Sequence, residues 1–243
     1  MRSLLILVIV LFCLFIALKE NKQKGEETTH YNFSEKNNEL VSVNIRPTNF
    51  VLNIPRNHLT SITHPYMPWV KEVWDMVHVQ ALLPELNFAN NTNFEKFEID
   101  TPSEILRMRI GFLSTDETFL SVTVNGIYEE LGRQSDYKLK SFVNRRKYGS
   151  QTEESIRKRS PSVFVVDPTY RVTPSGNPII INCKIGRCYV RVVIPIPKRP
   201  QEKQIGLGLE YDYNPKYIKD WEKIHSFVLS TLKSYVNYPE NVL

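Results

Sequence analysis

The N-terminal residues form an apolar segment whose composition differs from everything that follows it. Arg2 precedes an uninterrupted apolar run from Leu4 to Leu18, and a charged, hydrophilic stretch begins at Lys19. A basic residue, an apolar core and a polar flank in this order are typical of an export or anchoring signal. The remainder of the chain is therefore predicted to work outside the cytoplasm or at its boundary.

The end of the apolar run favours a signal that is retained over one that is removed. Signal peptidase requires small residues at the first and third positions before its cut, whereas a cut after Ala17 places Phe15 at the third position. Phe12 before Cys13 likewise disfavours a lipoprotein, which needs a small residue there. The cleaved alternative stays open because the run is shorter than the about 20 residues that span a bilayer.

Beyond this segment, the sequence is predicted to contain a tether and a single domain. Residues 1–18 form the predicted signal-anchor, residues 19–40 a polar tether, and residues 41–243 one periplasmic domain. The chain is 42% hydrophobic and 11% aromatic, which indicates a globular domain with a substantial core. The formal net charge of +5 is compatible with an acidic protein partner or with an anionic membrane surface.

Two cysteines give a second indication of the compartment. Cys183 and Cys188 lie in NPIIINCKIGRCYVRVVIPIP, where two β-rich runs flank the glycine-containing connection 184–187 and predict a hairpin. Residues that bracket such a turn face each other closely enough for a disulfide, and an exported chain meets the oxidising compartment in which that bond persists. A pair of buried free thiols is the alternative. A zinc site is disfavoured, because no nearby histidine or further cysteine completes four ligands.

The localisation is predicted from these two observations together. Lys19, Lys22 and Lys24 follow the apolar run, and this distribution of positive charge slightly favours a cytoplasmic domain. The signal-like pattern and the predicted disulfide favour the opposite orientation. We therefore predict a single-pass inner-membrane protein, held through residues 4–18, whose domain lies in the periplasm. Cleavage of the signal would instead release the domain into the periplasm, and nucleic acid is not an expected partner in either case.

The domain is predicted to be an α+β fold in which an antiparallel sheet packs against a C-terminal amphipathic helix. In SEILRMRIGFLS, Leu106, Met108 and Ile110 alternate with Arg107 and Arg109, as in a strand with one buried face. A strand is also favoured over a helix for 73–83, because β-branched residues are enriched there. SVNIRPTNFVLNIPRNHL, which Pro47 and Pro55 interrupt, is predicted to be an edge strand that ends in a turn. Further strands are predicted for FLSVTVNGIY, PSVFVVDPTYRV, PIIINC, CYVRVVIPI and QIGLGLEYDY, whereas the intervening stretch 128–161 shows no clean period.

The C-terminal helix is indicated by signals that agree with one another. Asn214 is suited to the N-cap, and Pro215 fits the first helical position, where its missing N–H is no loss. Apolar residues then recur at spacings of three and four and form one stripe: Ile218, Trp221, Ile224, Val228 and Leu232.

No compact catalytic motif appears in the sequence. G-x-S-x-G, H-E-x-x-H and G-x-x-x-x-G-K are absent, and the Gly-Leu-Gly run at 206–208 lacks the third glycine and following helix of a nucleotide site. His58, His64 and His78 lie within one region, but their spacing gives no common ligand geometry. We therefore predict no enzymatic activity, no cofactor, no metal site and no small-molecule ligand.

The strongest candidate for a binding site is a cluster of basic residues in the stretch without a clean period. A solvated loop is the simplest interpretation of such a cluster, and a docking surface for an acidic protein partner is the sharper one. Contact with anionic lipid is a third alternative, because the tether would allow it. The cluster consists of Lys138, Lys140, Arg145, Arg146, Lys147, Arg157, Lys158 and Arg159.

The C-terminal part of the chain resembles a small group of exported proteobacterial proteins that often accompany toxins of the type VI secretion system. The resemblance is carried by the hairpin cysteines and by LGLEYDYNPKYIKDWEKIHSFVLSTLKSY, with a weaker echo in FVLNIPRNHL and VHVQALLPEL. It implies a periplasmic immunity protein that neutralises a toxin by direct binding, and it carries over no binding residues. An accessory or structural subunit of a cell-envelope complex and an envelope hydrolase with an unrecognised site are the alternatives.

Overall fold

The computed structural model describes eleven segments of the chain. These are residues 27–31, 39–45, 50–64, 75–98, 102–114, 128–134, 137–144, 163–174, 176–184, 186–195 and 205–236. The predicted signal-anchor at residues 1–18 lies outside them. Within the described segments, no helix combines the length and the apolarity needed to cross a bilayer.

The described residues form twelve strands and two α-helices. The strands are β1 (Glu27–His30), β2 (Leu40–Ile45), β3 (Phe50–Pro55), β4 (Leu59–His64), β5 (Met76–Leu82), β6 (Ile105–Ser114), β7 (Tyr128–Gln134), β8 (Leu139–Asn144), β9 (Val163–Val166), β10 (Ile180–Lys184), β11 (Arg187–Pro195) and β12 (Ile205–Tyr213). The α-helices are α1 (Glu95–Glu98) and α2 (Trp221–Tyr235), and 3₁₀ turns occupy Arg56–His58, Pro102–Glu104 and Pro215–Asp220.

Ten of the strands make one antiparallel sheet in the order β1-β4-β5-β6-β12-β11-β10-β9-β8-β7. Strands β4 to β6 and strands β7 to β12 are two runs of sequential neighbours, and the pairing of β12 with β6 joins them. Strand β1 falls within the stretch predicted as the tether and pairs with β4, so part of residues 19–40 belongs to the sheet. Strands β2 and β3 form a separate hairpin.

The core lies between one face of the ten-stranded sheet and a layer made of α2 and the β2–β3 hairpin. We call this face of the sheet the inner face and the opposite one the outer face. On β5, for example, Val77 and Val79 are buried on the inner face while His78 is only half-buried on the outer one. This alternation is the period of two that a strand with one covered face must show. The predicted α+β arrangement of an antiparallel sheet against a C-terminal helix is confirmed.

The C-terminal helix begins later than the sequence predicts. The Asn214 side chain accepts a hydrogen bond from the Lys216 backbone N–H at 3.0 Å, as expected of a cap, but the turn it caps is 3₁₀ and the α-helix starts at Trp221. The rest of the predicted stripe is confirmed, because Ile224, Val228 and Leu232 are buried against the sheet.

Several strand predictions are confirmed, and others need correction. Strands β5 and β6 match the predicted runs 73–83 and SEILRMRIGFLS. The stretch without a clean period contains β7 and β8, where a register shift between Glu130 and Gly132 interrupts the alternation. SVNIRPTNFVLNIP forms the β2–β3 hairpin instead of one edge strand. The predicted strand FLSVTVNGIY, apart from its last residue, lies outside the described residues.

The predicted disulfide is confirmed at the β10–β11 hairpin. Cys183 and Cys188 are opposite each other in the register and are bonded, with an S–S distance of 1.98 Å. Gly186 in the turn has φ +78°, a conformation that residues with a Cβ rarely adopt. The disulfide therefore closes the tight turn that joins β10 to β11, two strands near the centre of the sheet.

Candidate interaction surface

Two residues of the predicted basic cluster lie in the described structure. Lys138 is exposed just before β8, and Lys140 is half-buried within that strand. The other six residues, Arg145, Arg146, Lys147, Arg157, Lys158 and Arg159, lie outside the described residues. The structure therefore does not test the cluster as a whole.

Lys138 takes part in a contact within the chain. Its ammonium nitrogen lies 3.3 Å from the centre of the Tyr170 ring, a cation–π arrangement, and its carbonyl accepts a hydrogen bond from the backbone of Asp167. The Tyr170 hydroxyl in turn donates to Glu222 on α2. Lys138 thus helps to fasten the loop after β9 to the C-terminal helix.

A second set of charged residues lies on the outer face, in the middle of the sheet. The register places Arg109, Glu210 and Arg191 opposite one another on β6, β12 and β11, and we call these three residues the charged row. Glu210 lies between the two arginines. Arg191 Nε donates to Glu210 at 2.7 Å, and Arg109 lies 3.8 Å from the other carboxylate oxygen. The row is an ion-pair ladder across the central strands.

A neighbouring pair of charges is more deeply buried. Arg187 on β11 and Asp212 on β12 form an ion pair in which the two side chains are 12% and 4% exposed. The Arg187 guanidinium also donates to the carbonyl oxygens of Ile105 at 2.7 Å and Asp212 at 3.0 Å. These hydrogen bonds compensate for the removal of the charges from water and hold β6, β12 and β11 in register.

One aromatic side chain stands exposed among these charges. Tyr189 lies between Arg187 and Arg191 on the outer face of β11 and is 42% exposed, while Asp212 is its cross-strand neighbour. Tyrosine and arginine are the residue types most enriched at protein–protein contacts. The central outer face therefore combines an exposed ring with partly exposed guanidinium groups.

Two histidines pack in the layer that covers the inner face of the sheet. His225 Nδ1 of α2 lies 2.8 Å from the hydroxyl of Tyr211 on β12, and His58 Nδ1 lies 2.8 Å from the hydroxyl of Tyr235. Burial lowers the pKa of His58 to about 4, and burial together with the positive charge of Arg171 lowers the pKa of His225 to about 4. Burial raises the pKa of Tyr211. Both pairs are thus neutral at pH 7 and join α2 to the strands beneath it and to the turn after β3.

His58 and His78 are not brought together in the structure. His58 stacks on Phe88 with ring centres 3.6 Å apart, whereas His78 lies on the outer face, with Nε2 3.3 Å from the hydroxyl of Thr63. Among the described residues, no group of three or more His, Cys, Asp or Glu side chains is arranged to hold a metal ion.

Sequence reasoning placed the candidate surface in a loop and missed the charged row. Its members come from β6 and from the sequential pair β11 and β12, and only the pairing of β12 with β6 makes Arg109 a neighbour of Glu210. One signal was present: the alternation in LRMRI and LEYDY puts charged residues on the face opposite the apolar ones.

Comparisons with known proteins show one structural similarity. No family model matches the chain, and no curated protein matches its sequence. Among solved structures, the chain is similar to Smlt3025, an immunity protein of the Stenotrophomonas maltophilia type IV secretion system. The two sequences are 16% identical, the TM-score is 0.41, and the match covers 83% of this chain and 95% of that chain. A similarity of this size assigns neither a family nor a function to the chain.

Proposed function

We propose that this chain is a membrane-anchored periplasmic binding protein, an immunity protein that neutralises a type VI secretion toxin by direct binding. The observation that supports the proposal most is the central outer face, where Tyr189, Arg109 and Arg191 are partly exposed on paired strands. A surface of this composition suits protein recognition. The resemblance of the C-terminal part to exported proteins that accompany such toxins points to the class of partner.

The position of the candidate side chains on central strands supports inhibition by steric fit. The candidate side chains stand on central strands of a ten-stranded sheet, beside a disulfide-closed hairpin and above a core that α2 covers. Side chains that are already held in place lose less conformational entropy when a partner binds. Such a domain would block a toxin by occupying its surface, and a signal-anchor at residues 1–18 would hold it where a toxin reaches the membrane.

Protection in cells tests this proposal. The product of the gene adjacent to this one is directed to the periplasm of a sensitive host, with or without the full chain. We expect growth arrest without the chain and growth with it, and we expect the two proteins to co-purify. A chain that lacks residues 1–18 serves as the control for localisation and should give no protection.

Other outcomes separate the alternatives. Absence of both protection and binding, together with no loss of viability on deletion of this gene, would reject the immunity function. Co-purification with an envelope assembly in place of a toxin would favour an accessory subunit. Hydrolysis of lipid or peptidoglycan by the purified chain would favour an envelope hydrolase.

A further inference from the structure

We infer that the outer face of β6, β12 and β11 is the docking surface for an acidic protein segment, with Arg109 and Arg191 pairing its carboxylates and Tyr189 packing against its apolar part. This inference rests on the proposed binding function and specifies the surface and the chemistry of the partner. The surface that we expect the partner to contact is thus the sheet and not the predicted basic cluster.

The balance of charge on this face is positive. Arg107, Arg109, Arg187 and Arg191 lie on it, opposed on the same strands by Glu210 and Asp212. Asp212 pairs with Arg187 and also lies 3.8 Å from Arg109, and Glu210 pairs with Arg109 and Arg191, so two carboxylates oppose four arginines. A surface with this surplus attracts an acidic partner and disfavours a basic one.

Two arginines are both held and accessible. The side chains of Arg109 and Arg191 are 41% and 50% exposed, and both lean towards Glu210, which is 30% exposed. A guanidinium has five N–H donors in a planar fork, and Glu210 uses only part of each set. The remaining N–H groups can donate to an incoming carboxylate in the bidentate geometry that arginine favours. Glu210 thus orients the two arginines without neutralising them.

The mixture of charges favours a protein over a phosphate-rich ligand. Glu210 lies in the middle of the charged row, where an anionic lipid surface would meet a like charge. A protein segment can instead place separate carboxylates against the arginines and away from Glu210. Tyr189, 42% exposed between Arg187 and Arg191, adds the kind of apolar contact that carries binding energy at protein interfaces.

Binding of a defined acidic peptide to the full chain tests the inference without a known partner. The probe is a fluorescent dodecapeptide of alternating Glu and Ala, measured by anisotropy in neutral detergent at about 50 mM salt, where charge interactions are weakly screened. We expect the double variant Arg109→Gln, Arg191→Gln to weaken binding about tenfold. The matched control is Lys216→Gln, Lys233→Gln, which removes the same charge from exposed helical positions and should change affinity less than about twofold.

Each outcome decides the point. No binding by the unmodified chain, or equal losses in the two double variants, would overturn the inference, because the effect would then be absent or due to net charge alone. Stronger binding to vesicles that contain anionic lipid than to the peptide would also overturn it. Tyr189→Ala removes no charge, should weaken binding about threefold, and keeps the test decisive if the arginine variant does not fold. Loss of toxin protection with intact peptide binding would reject the immunity function and leave this surface standing.

Discussion

The two faces of strand β12 show how one strand carries two kinds of chemistry. Leu207, Leu209 and Tyr211 point towards α2 and are almost fully buried, while Glu210 and Asp212 point to the outer face and pair with arginines. The inner residues stabilise the fold by removing apolar area from water. The exposed outer residues contribute little to stability, because water and salt screen their charges, and they are available for recognition.

The difference between the faces is not simply one of burial. Asp212 is on the outer face, yet its side chain is only 4% exposed, and it forms an ion pair with Arg187, whose side chain is 12% exposed. Glu210, two residues earlier on the same face, is 30% exposed. The outer face therefore contains a structural ion pair beside the charged row.

Replacing residues on opposite faces should give the largest contrast in stability. We expect Leu209→Ala to lower the free energy of unfolding by about 2 to 5 kcal/mol, because it removes buried methyl groups and leaves a cavity. Arg191→Ala on the neighbouring strand should cost less than about 1 kcal/mol, because its ion pair is exposed. Urea unfolding followed by circular dichroism measures both, and similar losses would show that the outer face is part of the core.

Replacing each acidic residue of β12 in turn compares the contribution of the Arg187–Asp212 pair to stability with that of the charged row. We expect Asp212→Ala to cost about 3 kcal/mol, because it leaves the Arg187 charge buried without its counterion. Glu210→Ala should cost less than about 1 kcal/mol. The same unfolding measurement compares them. Equal and small effects would mean that water reaches Arg187 when its partner is removed.

His58 and His225 should make the free energy of unfolding depend on pH. The pKa of His225 falls from 6.5 in the unfolded chain to about 4 in the folded one, so the unfolded state binds more protons between these values. The stability that accompanies a neutral His225 is complete above about pH 6.5 and is lost as the pH falls towards 4. We expect this loss of stability to amount to roughly 1 to 3 kcal/mol at the acidic end.

The His225→Gln variant isolates this effect. Its free energy of unfolding, measured by urea unfolding between pH 7 and pH 4.5, should fall less steeply than that of the unmodified chain, because the titrating group is gone. His58→Gln should flatten the curve in the same direction, since burial also lowers the pKa of His58. Parallel curves for the variants and the unmodified chain would contradict the assignment.

Local sequence signals predicted much of the fold. The period of two in SEILRMRIGFLS, the spacing of Cys183 and Cys188, and the cap at Asn214 each involve residues within one element or one turn. Strands β7 and β8 escaped prediction because their sequences show no clean period of two, and a register shift between Glu130 and Gly132 also makes the pairing of β7 irregular. The candidate surface was not predicted, since no local pattern reports which strands become neighbours.

By itself, the sequence determined which residues of an alternating strand such as β6 face the core, because alternation of apolar and polar side chains commits a strand to one orientation. It also determined that a hairpin closed by a disulfide precedes a C-terminal amphipathic helix. Only the tertiary structure decided that β12 returns to pair with β6, and this pairing brings Arg109, Glu210 and Arg191 into one row. The physical reason is that sheet order depends on contacts between residues far apart in the chain, which the local pattern of any one strand does not encode.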